Sequence, residues 1–393
     1  MQEACSATTS SNRTIKCPSD KSETDRKENI MTVAIPSTVW LAVTSACNNR
    51  CSWCYAQNND GQSSAEKENS PSLMMALEDV KLLLKTLSEV GVKRCILVGG
   101  EPTLHPSLKE IIAQIRLAGM ESVLVTNGRK AQDMKYAQDL VEAGLNNVTV
   151  SMHGWSPDSY EGQNGRSQTI KAAAFKQALT GYTNFKNSDV HTGINIVLGR
   201  STEKHTREIV QFINDLGVSQ LGFNIAAPAI SKSRITADYT LTIDQYREHI
   251  LDVHSRCNDK GIHASFQLGL PLCIFTKSEL ELLKQTNSIK QGCHILYGGG
   301  IVVNPDLTPA ICTHLMDYNL IDTRSARNIF SCPELFFDYW NNDDLKGLRQ
   351  TANVYRIEKC QTCELWGECG GGCMIHWTFH DPVKINMRYF NSQ

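Results

Sequence analysis

The chain has 393 residues, 41% of them hydrophobic, which is enough for a sizeable core and roughly two domains. Lys and Arg number 39 against 41 Asp and Glu, and a net charge of −2 excludes binding of nucleic acid through bulk positive charge. No run of 18 apolar residues could cross a membrane as a helix, and 15 cysteines in a chain that does not need disulfides to replace a core point to metal. The first 34 residues are polar and mixed in charge, and they hold Cys5 and Cys17. They lack the apolar stretch of a signal peptide and are too acidic for a transit peptide, so a disordered tail on a cytoplasmic protein is expected.

From Val39 onward short β-branched runs alternate with helical segments. The predicted strands are Val39–Thr44, Cys95–Gly99, Ser122–Thr126, Val148–Met152, Thr192–Leu198 and Leu221–Ile225. Helical periodicity covers about Leu73–Val90, Ala131–Ala143, Ile170–Asn184 and Glu203–Leu216. It is clearest at Leu108, Ile111, Ile112 and Ile115, an i, i+3, i+4, i+7 stripe ended by Gly119. Gly91, Gly144 and Gly217 sit at the other helix ends. Six β-then-α units predict an α/β fold with a parallel sheet. Six are too few for a closed eight-stranded barrel, so residues 35–230 are expected to form a partial (β/α)6 barrel with its ligand site at the C-terminal strand ends. Residues 231–290 read as a connecting helical segment, with helices at Thr242–Asp259 and Lys277–Gln285, and 291–385 as a small Cys-rich domain.

Cys47-Asn-Asn-Arg-Cys51-Ser-Trp-Cys54 follows the first strand. Three thiolates on one loop can hold three irons of a [4Fe–4S] cube and leave the fourth iron open. Structural zinc wants four closed ligands, and no His or Cys in the ten residues after Cys54 supplies the fourth.

This C-x3-C-x-aromatic-C spacing, with Trp53 as the aromatic, resembles the radical S-adenosylmethionine (SAM) enzymes, whose core is a partial six-unit β/α barrel. Gly99-Gly100-Glu101-Pro102 at the second strand end resembles the family's GGEP motif, which implies that its backbone and the Glu101 carboxylate hold the SAM ammonium. Thr126-Asn127-Gly128 and Ser151-Met152-His153-Gly154 resemble family strand ends. The resemblance implies SAM contacts at Trp53, Tyr55, Asn127 and Ser151, with Asn195 and Leu198 flanking ribose and adenine. Many relatives place an arginine where Gln163 stands here; Arg166 is the nearest substitute for pairing the SAM carboxylate. His153 stays a strand-end residue or a proton-transfer group.

Farther on, Cys360-x2-Cys363-x5-Cys369-x3-Cys373, with Cys293 and Cys312 upstream, resembles the SPASM domain of maturase enzymes. The resemblance implies one or two auxiliary [4Fe–4S] clusters. Cys293, Cys312 and Cys373 would serve the nearer one, and Cys360, Cys363 and Cys369 the distal one. The further cysteine that the family pattern needs after Cys373 is missing. Cys273, His376, His380 and Asp381 are candidate fourth ligands, and a zinc ribbon on Cys360, Cys363, Cys369 and Cys373 is the competing reading. Cys95 and Cys257 are expected to be buried thiols without a role.

The resemblance implies reductive cleavage of SAM to a 5′-deoxyadenosyl radical that abstracts hydrogen from a substrate C–H bond, with electrons from a donor such as flavodoxin or ferredoxin. The expected substrate is a peptide that is cross-linked or oxidised by two electrons. A dehydrogenase or epimerase of a sugar or aminocyclitol is the alternative. A non-catalytic iron–sulfur or zinc protein is disfavoured, because it needs no SAM motif. Neither nucleic acid nor membrane is expected as a partner.

Overall fold

The computed structural model describes residues 6–8, 14–16, 35–55, 73–230, 235–291, 293, 298–316, 321, 323–352 and 354–391. Inside the expected tail, β1 (Ser6–Thr8) and β2 (Thr14–Lys16) pair as an antiparallel hairpin. The remainder of residues 1–34, Cys5 and Cys17 included, lies outside the described residues.

The six predicted strands are present, each within a residue of its expected limits. They are β3 (Thr38–Thr44), β4 (Arg94–Gly99), β5 (Glu121–Thr126), β6 (Asn147–Ser151), β7 (His191–Leu198) and β8 (Gln220–Ile225). Each pairs parallel with the next in chain order. Helices α1 (Leu77–Glu89), α2 (Leu108–Leu117), α3 (Met134–Glu142), α4 (Gln168–Lys186) and α5 (Thr206–Asp215) form the crossovers. The predicted stripe on α2, Leu108, Ile111, Ile112 and Ile115, is fully buried in the core. At the helix ends Gly91, Gly119, Gly144 and Gly217 take positive φ, which reverses the chain into the next strand.

Residues 231–290 contribute more than helices. After the hairpin β9 (Ala229–Ile230) and β10 (Ile235–Thr236) come α6 (Ile243–Asp259) and α7 (Lys277–Gln285). Both helices start from capping boxes, Thr242 with Gln245 and Thr276 with Glu279. Between them β11 (His263–Gln267) extends the sheet parallel to β8, and β12 (Ile289–Lys290) follows it. On the opposite edge β13 (Gly300–Val303) pairs parallel with β3 and antiparallel with β14 (Pro309–Ala310). The result is one ten-stranded sheet ordered β12-β11-β8-β7-β6-β5-β4-β3-β13-β14. Its two edges do not pair with each other, so it is a partial barrel. Helices α8 (Thr323–Ile329), α9 (Pro333–Trp340) and α10 (Asp343–Ala352) precede the Cys-rich region, which is built of short turns.

Candidate functional site

The loop after β3 carries Cys47, Cys51 and Cys54, and the turn after β4 fixes its start. The Gly100 N–H donates to the Thr44 carbonyl (2.8 Å) and the Glu101 N–H to the Ala46 carbonyl (2.7 Å). A Cβ at Gly99 would lie 2.3 Å from the Thr44 oxygen, and one at Gly100 2.2 Å from the Ala46 oxygen. Only glycine permits this approach, and Gly99 also sits at φ +138°. The paired glycines therefore join the thiol loop to the Gly99–Pro102 turn as one unit. Within the loop the Cys54 N–H closes a turn on the Cys51 carbonyl (3.2 Å), and Cys47 Sγ accepts from the Asn49 N–H (3.4 Å).

Glu101 is buried, and its carboxylate ties β4 to β5. Its Oε1 accepts from the Thr103 N–H (3.1 Å), Thr103 Oγ1 (2.6 Å) and Thr126 Oγ1 (2.6 Å), and its Oε2 from the Asn127 N–H (2.7 Å). Burial pushes its pKa up, and these hydrogen bonds oppose the shift. The expected ligand-binding carboxylate is thus largely committed to protein donors, with Oε2 the less occupied oxygen. Pro102 opens a 3-10 turn capped by the same carboxylate.

The far side of the thiol loop is held by Arg129, which the motif reading missed, together with Gln163 and Asn127. Arg129 donates through Nη1 to the Asn48 carbonyl and to Asn49 Oδ1 (3.0 Å), while its Nε reaches Gln177 Oε1 (2.9 Å). Gln163, buried, donates to the same Asn48 carbonyl (2.6 Å) and the same Asn49 oxygen (3.1 Å). Asn127 Nδ2 adds a bond to Asn48 Oδ1 (2.7 Å). Gln163, at the position where an arginine was expected, is a clamp on the loop. Arg166 is exposed on the turn before α4, and its backbone N–H donates to the Gln163 carbonyl (3.1 Å). Arg129 directly follows Thr126-Asn127-Gly128, and that adjacency was the available signal.

Ser151 and Asn195 lie opposite each other at the ends of β6 and β7, both half-buried. Leu198 is displaced from them by the strand's alternation. It is fully buried with Ile194 and Ile196 in the apolar core, on the other face of β7 from Asn195. Trp53 packs on His153 with ring centroids 5.6 Å apart, and both line a cavity of about 280 Å³ with Trp155, Val197 and Ser201. Burial holds the His153 imidazole neutral, its pKa lowered to about 4.

Burial pushes the Cys47 thiol up to about 12, with the nearby Cys54 adding to the shift, and it raises Cys51 for the same reasons together with Cys47. The three thiols are close enough to disfavour each other's ionisation. Holding them as thiolates therefore needs a cationic group between them, which is what an iron–sulfur cluster supplies.

Tyr55, directly after the loop, is half-buried, and its ring lies 5.2 Å from that of His314. The His314 N–H donates to Cys312 Sγ (3.4 Å), so the first thiol loop faces a C-terminal thiol across these two rings. Cys312 is pushed up to about 12 by burial and by Cys373 and Cys293, which defines one C-terminal group. Cys360, Cys363 and Cys369 line a separate cavity of about 450 Å³. Of the other candidate ligands, His376 is buried beside His380, and Asp381 caps the short turn at Pro382. A zinc site requires donors that converge at about 2.0–2.3 Å on one ion. Among the described residues no group of three or more His, Cys, Asp or Glu is arranged to do so.

Residues 41–213 match the family model of the Radical SAM superfamily. These residues form a radical SAM domain. Its curated relatives include the Fe-coproporphyrin III synthase of Methanosarcina barkeri, 28% identical over 234 residues, 58% of this chain and 54% of that protein. A probable GTP 3′,8-cyclase of Saccharolobus solfataricus is 27% identical over 183 residues, 46% of this chain and 54% of that protein. The chain thus spans about half the length of these two relatives. Solved structures resemble it over more of its length. Native anSMEcpe with bound AdoMet superposes with a TM-score of 0.65 at 19% identity, covering 90% of this chain and 94% of that one. Streptococcus suis SuiB bound to precursor peptide SuiA gives 0.64 at 16% identity, covering 89% and 74%. Those neighbours are SPASM-type radical SAM enzymes, and the radical SAM superfamily works with a [4Fe–4S] cluster and SAM.

Proposed function

We propose that this chain uses SAM to modify a peptide, by cross-linking or by two-electron oxidation. Cys47, Cys51 and Cys54 would hold the cluster with one iron open to SAM. When bound and reduced, that cluster supplies the electron that splits SAM into methionine and a 5′-deoxyadenosyl radical able to take hydrogen from an unactivated C–H bond.

The protein's own part is to bind and orient. The SAM ammonium falls to the carbonyls of the Gly99–Glu101 turn and to Glu101 Oε2, the less occupied carboxylate oxygen. Ser151 and Asn195, adjacent across β6 and β7, would contact the ribose. The Arg129 and Gln163 clamp fixes the loop by hydrogen bonds to Asn48 and Asn49, because a cluster that shifts by an ångström loses its reach to the substrate. The Tyr55 and His314 rings, 5.2 Å apart, would link the end of the first thiol loop to the turn that carries Cys312. Cys293, Cys312 and Cys373 would carry a nearer auxiliary cluster, and Cys360, Cys363 and Cys369 a distal one. Together they give the substrate radical a place to leave its second electron.

The observation that carries this reading is the joining of the thiol loop to the Gly99–Pro102 turn by two backbone bonds, with Cys312 across from it behind Tyr55 and His314. The peptide class is supported by the likeness to the structure of SuiB bound to a precursor peptide. Anaerobic turnover with reductant, SAM and a short precursor peptide encoded beside this protein tests it. Deoxyadenosine and a product two mass units lighter are expected. Neither should form with Cys47, Cys51 and Cys54 all replaced by Ala. Undiminished SAM cleavage in that triple variant would sink the cluster assignment. Turnover of a free sugar or cyclitol with no peptide present would replace the peptide by a small molecule.

A further inference from the structure

The three thiols at Cys360, Cys363 and Cys369 call for a fourth donor, and none of residues 374–393 is a cysteine. The chain brings one from the opposite direction. After β11 ends at Gln267, residues 268–271 leave the barrel and lead into a 3-10 turn at Leu272–Ile274. That turn is docked directly on the Cys-rich region. The Leu272 N–H donates to Cys369 Sγ (3.3 Å), and the Cys373 N–H donates to the Gly269 carbonyl (2.6 Å). The two backbones are so close that a Cβ at Gly372 would lie 3.0 Å from both the Gly269 oxygen and the Pro271 nitrogen. Lys284 of α7, bonded to Glu368 Oε2 (2.5 Å), ties the same two regions again.

We infer that Cys273, at the centre of that turn, is the fourth thiolate of the distal set and closes Cys360, Cys363 and Cys369 from the barrel side. All four thiols line the one cavity of about 450 Å³, walled by Trp366, Trp377 and Phe390. Cys257, one helix away, shows what a thiol without that role looks like. It is wholly buried in the core of α6, and burial alone shifts it. Cys373 is not among the described residues that line this cavity. Four thiolates around an aromatic-walled cavity suit an electron-carrying cluster with no open iron. Among the described residues the nearer set keeps Cys293, Cys312 and Cys373, on the side facing Tyr55 and His314. The assignment ties the distal cluster mechanically to the barrel, because its fourth ligand hangs from the end of a barrel strand.

This inference rests on the proposed auxiliary clusters, and the test separates the two. The full chain with Cys47, Cys51 and Cys54 replaced by Ala is reconstituted anaerobically and analysed for iron, zinc and electron paramagnetic resonance after reduction. About eight irons per chain are expected, from four per cluster. Adding Cys273→Ala should remove about half of that iron and one of two distinguishable signals, while adding Cys257→Ala should remove none. The near-isosteric Cys273→Ser guards against simple misfolding. It should keep iron but move the g-values of one signal only, because an alkoxide replaces a thiolate. Iron and spectra unchanged in both Cys273 variants would overturn the inference and leave the auxiliary clusters standing. A parent without bound iron or zinc would overturn both. Zinc in place of iron, lost on Cys273→Ala, would uphold the four-thiol set and overturn its reading as a cluster.

Discussion

At Glu101 the sequence offers a ligand contact and leaves out the residue's hold on its own neighbours. A charged residue in a Gly-Gly-Glu-Pro turn suggests a ligand contact. Linear order cannot show that Thr103, Thr126 and Asn127 supply four donors to one buried carboxylate. Glu101→Gln separates the structural part. The amide nitrogen of glutamine would meet either the Asn127 N–H or the three donors on Oε1, leaving at least one buried donor unpaired. That costs about 1–3 kcal/mol. The expected outcome is a lower urea midpoint together with reduced deoxyadenosine formation. An unchanged midpoint with reduced activity would mean that the four bonds contribute nothing to the fold. The same limit explains Gln163, Leu198 and Cys273. A motif tells which residue type stands at a position, whereas the partner that makes Gln163 a clamp lies 114 positions away. Leu198 sits near the right strand end but on the wrong face, which alternation along β7 from Asn195 would have revealed. Cys273 was visible as a candidate fourth ligand, but its place beside Cys369 depends on a turn after β11 that carries no signature of its own.

At the scale of elements the reading succeeds where periodicity is long and ends are marked. β3, β4, β5 and β7 are apolar runs followed by helices that end at Gly91, Gly119, Gly144 and Gly217, and two independent signals per element fix their limits. β11, β12 and β13 are short, and β11 holds only Ala264 and Phe266 on its buried side, too few to distinguish a strand from a connection. Packing of α6 onto the barrel supplies a prediction at this scale. His249 on α6 is buried between Thr202 Oγ1 and Thr206 Oγ1, at 3.2 Å from each, where it holds the start of α5. Burial lowers its pKa to about 4, slightly opposed by Asp252. The unfolded chain would take up a proton near pH 6.5 that the folded chain refuses. The contribution of His249 is therefore complete above pH 6.5 and is lost as pH falls toward 4. Between pH 7.5 and 5.5 the loss is about 1.3 kcal/mol. The stability difference between the wild type and His249→Gln, from urea titrations at both pH values, should shrink by that amount at the lower one. A difference that grows, or stays level, would place a proton on His249 in the folded state.

Across the whole molecule the barrel and the Cys-rich region share one sheet. β3, the strand that delivers the first thiol loop, is paired with β4 on one side and with β13 on the other. The backbone approach is close. A Cβ at Gly300 of β13 would lie 2.2 Å from the Trp40 ring of β3 and 3.0 Å from the Thr38 carbonyl. Residues 35–230 and 291–385 look like separate units in the sequence because composition changes between them. Composition says nothing of a four-residue strand that returns to the first strand of the barrel. Removing everything after residue 290 would therefore leave β3 as an edge. Val39, Leu41, Ala42 and Val43, all fully buried in the intact chain, would border an unpaired row of backbone donors and acceptors. Such an edge invites pairing between chains. The truncated chain is expected to aggregate, or to elute as large oligomers in anaerobic size-exclusion chromatography, and to lose the SAM cleavage of the full chain. A monomeric truncated barrel that still produced deoxyadenosine at the full-length rate would show that β13 is dispensable for positioning the first thiol loop. The C-terminal region would then serve the substrate alone. The joined sheet argues against that outcome, because the strand that leads into Cys47, Cys51 and Cys54 pairs along four of its residues with β13.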